Sequence, residues 1–272
     1  MSTPLLRHQR SDYAFYFQCF IYLFLVMLVL NFNDIYHSMD HEEGLFEWSG
    51  EIALMVTSAI LFYTTKKYKD ITGKKDFKFW MFLFASIAFF WAAGEELSWG
   101  QHMFGTETPE WLAKINGQQE TNLHNINKKF FDRTLERLTV GLTLITVFQH
   151  VRGKQSFIGF RLPEWPLNLA FLLIPIYRKL QDLEVDVWHM GFIAFFAYPI
   201  LAIVKKNTRM LVYSLMFIIT ATVVAYFHHY NLAIFLGKSN IYHEIRESIF
   251  SILCVFFALQ LLSDVKNGVS VA

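Results

Sequence analysis

Long apolar runs alternate with polar connections along the chain, and the length of the runs sets the reading. A helix that crosses a bilayer needs roughly 20 largely apolar residues, within a range near 17–25. Runs of that kind cover 13–32, 47–65, 77–94, 134–151, 187–204, 209–227 and 245–263. A shorter run at 164–178 contains Pro166 and Pro175. It reads as a short or kinked span, or as a re-entrant piece. The stretch 95–133 breaks the pattern, being rich in Gly, Asn, Gln and Glu. Within it, Pro109-Glu110-Trp111 opens a short helix predicted to end near Gly117, because proline suits a first helical turn. Loops of this length are usually functional or disordered, and its aromatic residues favour an ordered re-entrant or interfacial segment.

Composition agrees with the pattern. Hydrophobic residues make up 54% of the 272 positions and charged residues 17%, against roughly 25% charged in an average globular protein. So little polar surface cannot cover a soluble particle of this size. Cys19 and Cys254 lie inside apolar runs and form neither a disulfide framework nor a CxxC site. The basic start MSTPLLRHQR precedes an apolar stretch with no small-residue cleavage site after it, which predicts a retained first helix. No repeat or detachable soluble domain is visible. Residues 1–272 therefore read as one all-α, polytopic integral membrane domain of about eight transmembrane helices.

Charge placement gives the orientation, since Lys and Arg concentrate in cytoplasmic loops. With eight spans and both termini inside, 15 of the 24 basic residues fall on the inner side beside five acids. The outer side then holds the other nine basic residues and 18 of the 23 acids. The net charge of +1 thus divides into +10 inside and −9 outside. If 164–178 did not span, Lys205, Lys206 and Arg209 would move outside and weaken the division. The expected location is the bacterial inner membrane.

The same topology collects chemistry at the outer, periplasmic boundary. His37, His41, His102, His124, His189, His228, His229 and His243 all fall there, and only His8 and His150 fall inside. Glu47 and Glu51 lie one helical turn apart on one face. Glu95 and Glu96 close the third span in GEELSWGQH, which also carries His102. A helix C-terminus repels negative charge, so the pair conflicts with local rules, as functional sites often do. In QQETNLHN, Glu120 and His124 would share a face if helical, with amide neighbours to orient a ligand. His243-Glu244-Ile-Arg-Glu247 opens the last span as H-E-x-x-E rather than the H-E-x-x-H of zinc peptidases. Acids there serve a first helical turn equally well. His228 and His229 end the seventh span, where a helix dipole favours them for its own reasons.

The run GEELSWGQ, followed by PEWLAKINGQQETNLHN, resembles a set of uncharacterised bacterial multi-pass membrane proteins with an EExSWGQ…ETNLHN signature. Glu95-Glu96 is also similar to the first motif of the CAAX-protease and bacteriocin-processing family of intramembrane glutamic proteases. Gly100 stands where that motif carries Arg. That second resemblance implies a proteolytic alternative.

Oxygen- and imidazole-rich sets without thiolates suit Zn, Mn or non-haem Fe. The expectation is a metal-dependent, hydrolase-like enzyme acting on a lipid or lipid-linked substrate at the periplasmic face. Glu51, Glu95, His102, His124 and His243 are the candidate metal ligands. Glu96, Glu120, Glu244 and Glu247 are the candidate catalytic carboxylates. A transporter or channel with an acidic outer site, and a non-catalytic envelope subunit, are the alternatives. The expected partners are membrane lipids and a lipid-linked substrate, and oligomerisation is left open. No Walker loop, dinucleotide fingerprint or G-x-S-x-G elbow is present, and nothing supports nucleic-acid binding.

Overall fold

Polar residues at the edges of the apolar runs fix where several helices begin. Asp76 Oδ1 accepts from the Lys78 and Phe79 amides at 3.1 and 3.3 Å. Asn127 Oδ1 accepts from Phe130 N at 3.2 Å, and Asn207 Oδ1 from Met210 N at 3.0 Å. Each satisfies an amide that the first turn leaves without an intrahelical partner. The computed structural model describes residues 4–31, 45–174, 196–227 and 241–268. Its helices are α1 (Pro4–Asn31), α2 (Leu45–Thr72), α3 (Phe77–Glu96), α4 (Lys128–Val151), α5 (Trp165–Leu173), α6 (196–204), α7 (Thr208–Phe227) and α8 (Ile241–Lys266). A two-residue antiparallel hairpin, β1 (Ser156–Phe157) with β2 (Phe160–Arg161), pairs Ser156 with Arg161.

The all-α prediction holds, and three described helices, Leu45–Thr72, Phe77–Glu96 and Ile245–Lys266, are long and apolar enough to cross a membrane. The outward faces of the first two carry Ile52, Phe62, Phe84, Phe90 and Trp91 in exposed positions, an arrangement that suits a lipid surround. α1 begins at Pro4 and α4 at Lys128, both ahead of the apolar runs that predicted them. α5 is nine residues long, roughly 13 Å at 1.5 Å per residue. That is less than half of a hydrocarbon core about 30 Å thick. Residues 175–178, the rest of that predicted span, lie outside the described residues, as do residues 187–195.

Two apolar cores share α8. The larger joins α1, α5, α6, α7 and α8 through Phe15, Tyr22, Leu169, Tyr198, Phe217 and Ile249. Every residue of α5 from Pro166 to Leu173 is buried, so this short helix lies inside the bundle. The smaller core joins α2, α3 and α8 through Leu61, Phe82 and Leu261. Small residues allow the close approaches. A Cβ at Gly50 would stand 3.1 Å from Ser248 Cα, so α2 and α8 meet almost backbone to backbone there. Ser58 Oγ donates to Ser86 O at 2.8 Å, and Ser86 Oγ returns a bond to Ser58 O at 2.9 Å. Such reciprocal bonds join apolar helices where water is absent.

One end of the bundle gathers the basic connections. Phe77 packs edge-on against Phe160 at 5.7 Å, Ser11 Oγ donates to Glu164 Oε2 at 3.1 Å, and Arg209 pairs with Asp12. Arg161 Nε lies 3.2 Å from Asp264 Oδ2. Gln260 of α8 brackets the approach to α5, accepting from Glu164 N at 3.0 Å and donating to Leu162 O at 2.9 Å. The opposite end carries the segment 97–127, which caps α3 and α4.

Candidate functional site

The cap begins with a turn that helical residues rarely make. Ser98, Trp99 and Gly100 follow α3 with φ of 45°, 53° and 83°. Glycine adopts such values freely. A bulky residue does not, and the strain costs on the order of 1–3 kcal/mol. Contacts of the Trp99 ring offset it. The ring lies directly over Gly94, where an added Cβ would stand 2.8 to 2.9 Å from three ring atoms. It meets Trp91 edge-on at 5.0 Å. Its indole Nε1 donates to Glu95 Oε1 at 3.0 Å.

That turn aims the GEELSWGQ motif at the later QQETNLHN motif. Glu95, buried at 6% exposure, accepts from Leu123 N at 2.6 Å and His124 N at 3.1 Å through Oε2. Glu120 Oε2 accepts from Ser98 Oγ at 3.1 Å, Asn122 Nδ2 at 2.7 Å and Asn125 Nδ2 at 3.0 Å. Asn116 closes its own loop: Nδ2 reaches Glu120 O and Asn122 O at 2.9 and 2.8 Å, while Oδ1 takes Gln118 N at 2.9 Å. Gln101 Oε1 accepts from Thr121 N at 2.6 Å and from Thr108 Oγ1 at 3.1 Å. Two motifs far apart in sequence thus interlock through charge-assisted bonds, the stronger kind.

The predicted residues separate into distinct positions. Glu95 and Glu96, adjacent in sequence, diverge at the helix end, Glu95 inward and Glu96 exposed. Helical spacing between Glu120 and His124 does not occur. Residues 118–123 form turns, bends and irregular chain, and His124 opens a single 3₁₀ turn, His124–Ile126. The physical reason is that Asn116 and Glu120 satisfy the loop's amides through side chains, which competes with a helical ladder. His124 instead meets Glu95, with Nδ1 3.9 Å from Oε2 and side chains 19% and 8% exposed. Glu51 is buried on α2 beside the close contact of Gly50 with Ser248, and Glu247 is half-buried on α8. Ser248 Oγ also donates to Phe46 O across this junction. Among the described residues, no three His, Cys, Asp or Glu stand close enough to hold one metal ion.

His102 lies in a single helical turn, Gln101–Phe104, and His243 and Glu244 lie in the first turn of α8; their side chains fall outside the described set. His37, His41, His189, His228 and His229 lie outside the described residues altogether. Sequence reasoning missed Ser98, Gln101 and Asn116 as the residues that assemble the cap. Asn116-Gly117 carried a turn signal, but the partners across the loop carried none. Comparison of the chain with protein-family models, with curated proteins and with solved structures finds no match.

Proposed function

We propose that this chain is a multi-pass protein of the bacterial inner membrane, with about eight spans and both termini inside. Its periplasmic cap would carry out general-base hydrolysis of a lipid-linked substrate. The gathering of the basic connections at the end opposite the cap supports this orientation.

The pairing of Glu95 with His124 carries the functional reading. A carboxylate beside an imidazole stabilises positive charge on the ring, which is what a general base needs as it accepts a proton. Glu95 is itself fixed by two backbone amides and an indole, so it acts as a positioning residue. In this scheme Nε2 of His124 takes a proton from water. The hydroxide attacks an acyl or phosphoryl centre, and the proton returns to the leaving oxygen. Glu96, exposed beside the pair, stands where an incoming head group would approach. A metal-dependent form needs ligands from His102, His243 or Glu244, because Glu95 and Glu120 are already ringed by donors.

Saturation of those two carboxylates favours a second reading, a non-catalytic envelope subunit whose cap is a rigid docking element. One experiment separates the two. Wild-type protein, His124→Ala and Glu95→Gln are incubated in nanodiscs with a total bacterial envelope lipid extract, and products are followed by mass spectrometry. Metal content is measured on the same samples. The hydrolase reading expects a product that His124→Ala removes while thermal unfolding stays near wild type. If wild-type protein releases no more product than His124→Ala does, the enzyme reading fails.

A further inference from the structure

At the basic end, segments distant in sequence surround a cavity of about 180 Å³, room for several water molecules. Lys154, Arg161, Lys205 and Arg209 line it, with Glu164 as the carboxylate on its wall. Leu201, Met210 and Pro166 contribute an apolar side, and Trp165 borders both.

The guanidinium groups are held in place from behind. Arg209 pairs with Asp12 and lies over the Trp165 and Tyr213 rings at 5.6 Å from each centroid. Arg161 Nε stands 3.2 Å from Asp264, and its Nη2 donates to Gln155 Oε1 at 2.7 Å. Glu164 is engaged by Ser11. Lys205 Nζ meets the carbonyl of His150 at 3.3 Å, which leaves its positive charge in the site. Positive loops on the inner side would satisfy topology without any such arrangement. Lys66, Lys69, Lys74 and Lys75, in the α2 end and the turn after it, are simply exposed. Convergence of four cations on a concavity, from the loop after α4, the hairpin, the α6–α7 turn and the first turn of α7, is more than topology requires.

We propose that this cavity binds a phosphate group, and that its occupant is the headgroup of an anionic phospholipid. Arg and Lys suit phosphate by charge and by donor geometry. The apolar side and Trp165 accommodate the glycerol and the first acyl carbons. Basic pockets between helix ends on the cytoplasmic side are where such headgroups are held. The site lies at the end opposite the Glu95–His124 pair and does not depend on its role.

The test uses the full-length protein in detergent, titrated with dihexanoyl phosphatidylglycerol and read by native mass spectrometry and thermal shift. Lys154→Gln with Lys205→Gln removes two rim charges and leaves both guanidinium–carboxylate pairs intact. Lys66→Gln with Lys74→Gln removes the same charge away from the cavity. The cavity variant is expected to bind about thirtyfold more weakly, while the control binds as wild type and dihexanoyl phosphatidylcholine binds neither form. Equal weakening in both variants, or equal binding of the phosphatidylcholine, overturns the site. Competition by inorganic phosphate at matching concentration would sink the lipid assignment while keeping the phosphate site.

Discussion

The two ends of the bundle treat charge in opposite ways. At the cap, Glu95 and Glu120 turn inward and are surrounded by amide, indole and hydroxyl donors, which tie distant parts of the chain together. At the basic end, Arg161 and Arg209 also have partners, yet with Lys154 and Lys205 they still line a cavity. A cluster of charged residues in a sequence therefore has two outcomes. When the neighbours are Asn, Ser, Gln and backbone amides, the charge becomes a staple. When the neighbours are other like charges around a concavity, it leaves a basic cavity, the one we propose for an anionic headgroup.

The largest test of this contrast is Glu120→Ala. It strands three donors in a half-buried setting and is expected to cost about 4 kcal/mol. Thermal unfolding and limited proteolysis within 97–127 would read it, and lipid binding at the far end should not change. Arg161→Gln removes a guanidinium partner of Asp264, which is fully buried, and is expected to cost about 3 kcal/mol. The double variant with Asp264→Asn should recover much of that loss in chemical denaturation, while phosphatidylglycerol binding stays weak. If the double variant binds normally, Arg161 serves structure alone and the contrast between the ends dissolves. Gly94→Ala drives a methyl into the Trp99 ring and is expected to cost about 2 kcal/mol by forced repacking. Trp fluorescence should report a displaced indole.

The smallest effect concerns Asp76, in the turn between α2 and α3. Its carboxyl titrates below the ordinary value because the Tyr68 hydroxyl donates to it at 2.7 Å, with the Phe79 and Lys78 amides adding to the effect. A depressed folded-state value means the stabilisation is complete above the ordinary carboxylate pKa and is lost as pH falls through the lower, folded one. Asp76→Asn should therefore lower stability slightly at neutral pH and leave it unchanged at low pH, where Asp76 is protonated in both states, so that the acid limb of the stability profile flattens.

Much of the fold was legible because burying apolar residues in helices long enough to span leaves a signal that survives without tertiary information. The runs 47–65, 77–94 and 245–263 became α2, α3 and α8. The site was legible only as ingredients. Glu95, Glu120 and His124 were marked by their place in an apolar chain, but helical spacing was the wrong guide for the last two. Their geometry comes from Asn116, Gln101 and Ser98, whose partners lie across a loop where no periodicity operates. Lys154, Arg161, Lys205 and Arg209 entered the sequence reading as charges that orient the loops.

By itself, the sequence determined that the chain is helical and apolar enough for a membrane, and that acids and histidines are concentrated in particular polar stretches. Hydrophobic length and charge are properties of local composition, so one dimension suffices for them. Tertiary structure decided which charges are staples and which surround a cavity. That distinction depends on the few ångströms separating a carboxylate from an amide some 28 residues away, as between Glu95 and Leu123, and packing alone sets such distances.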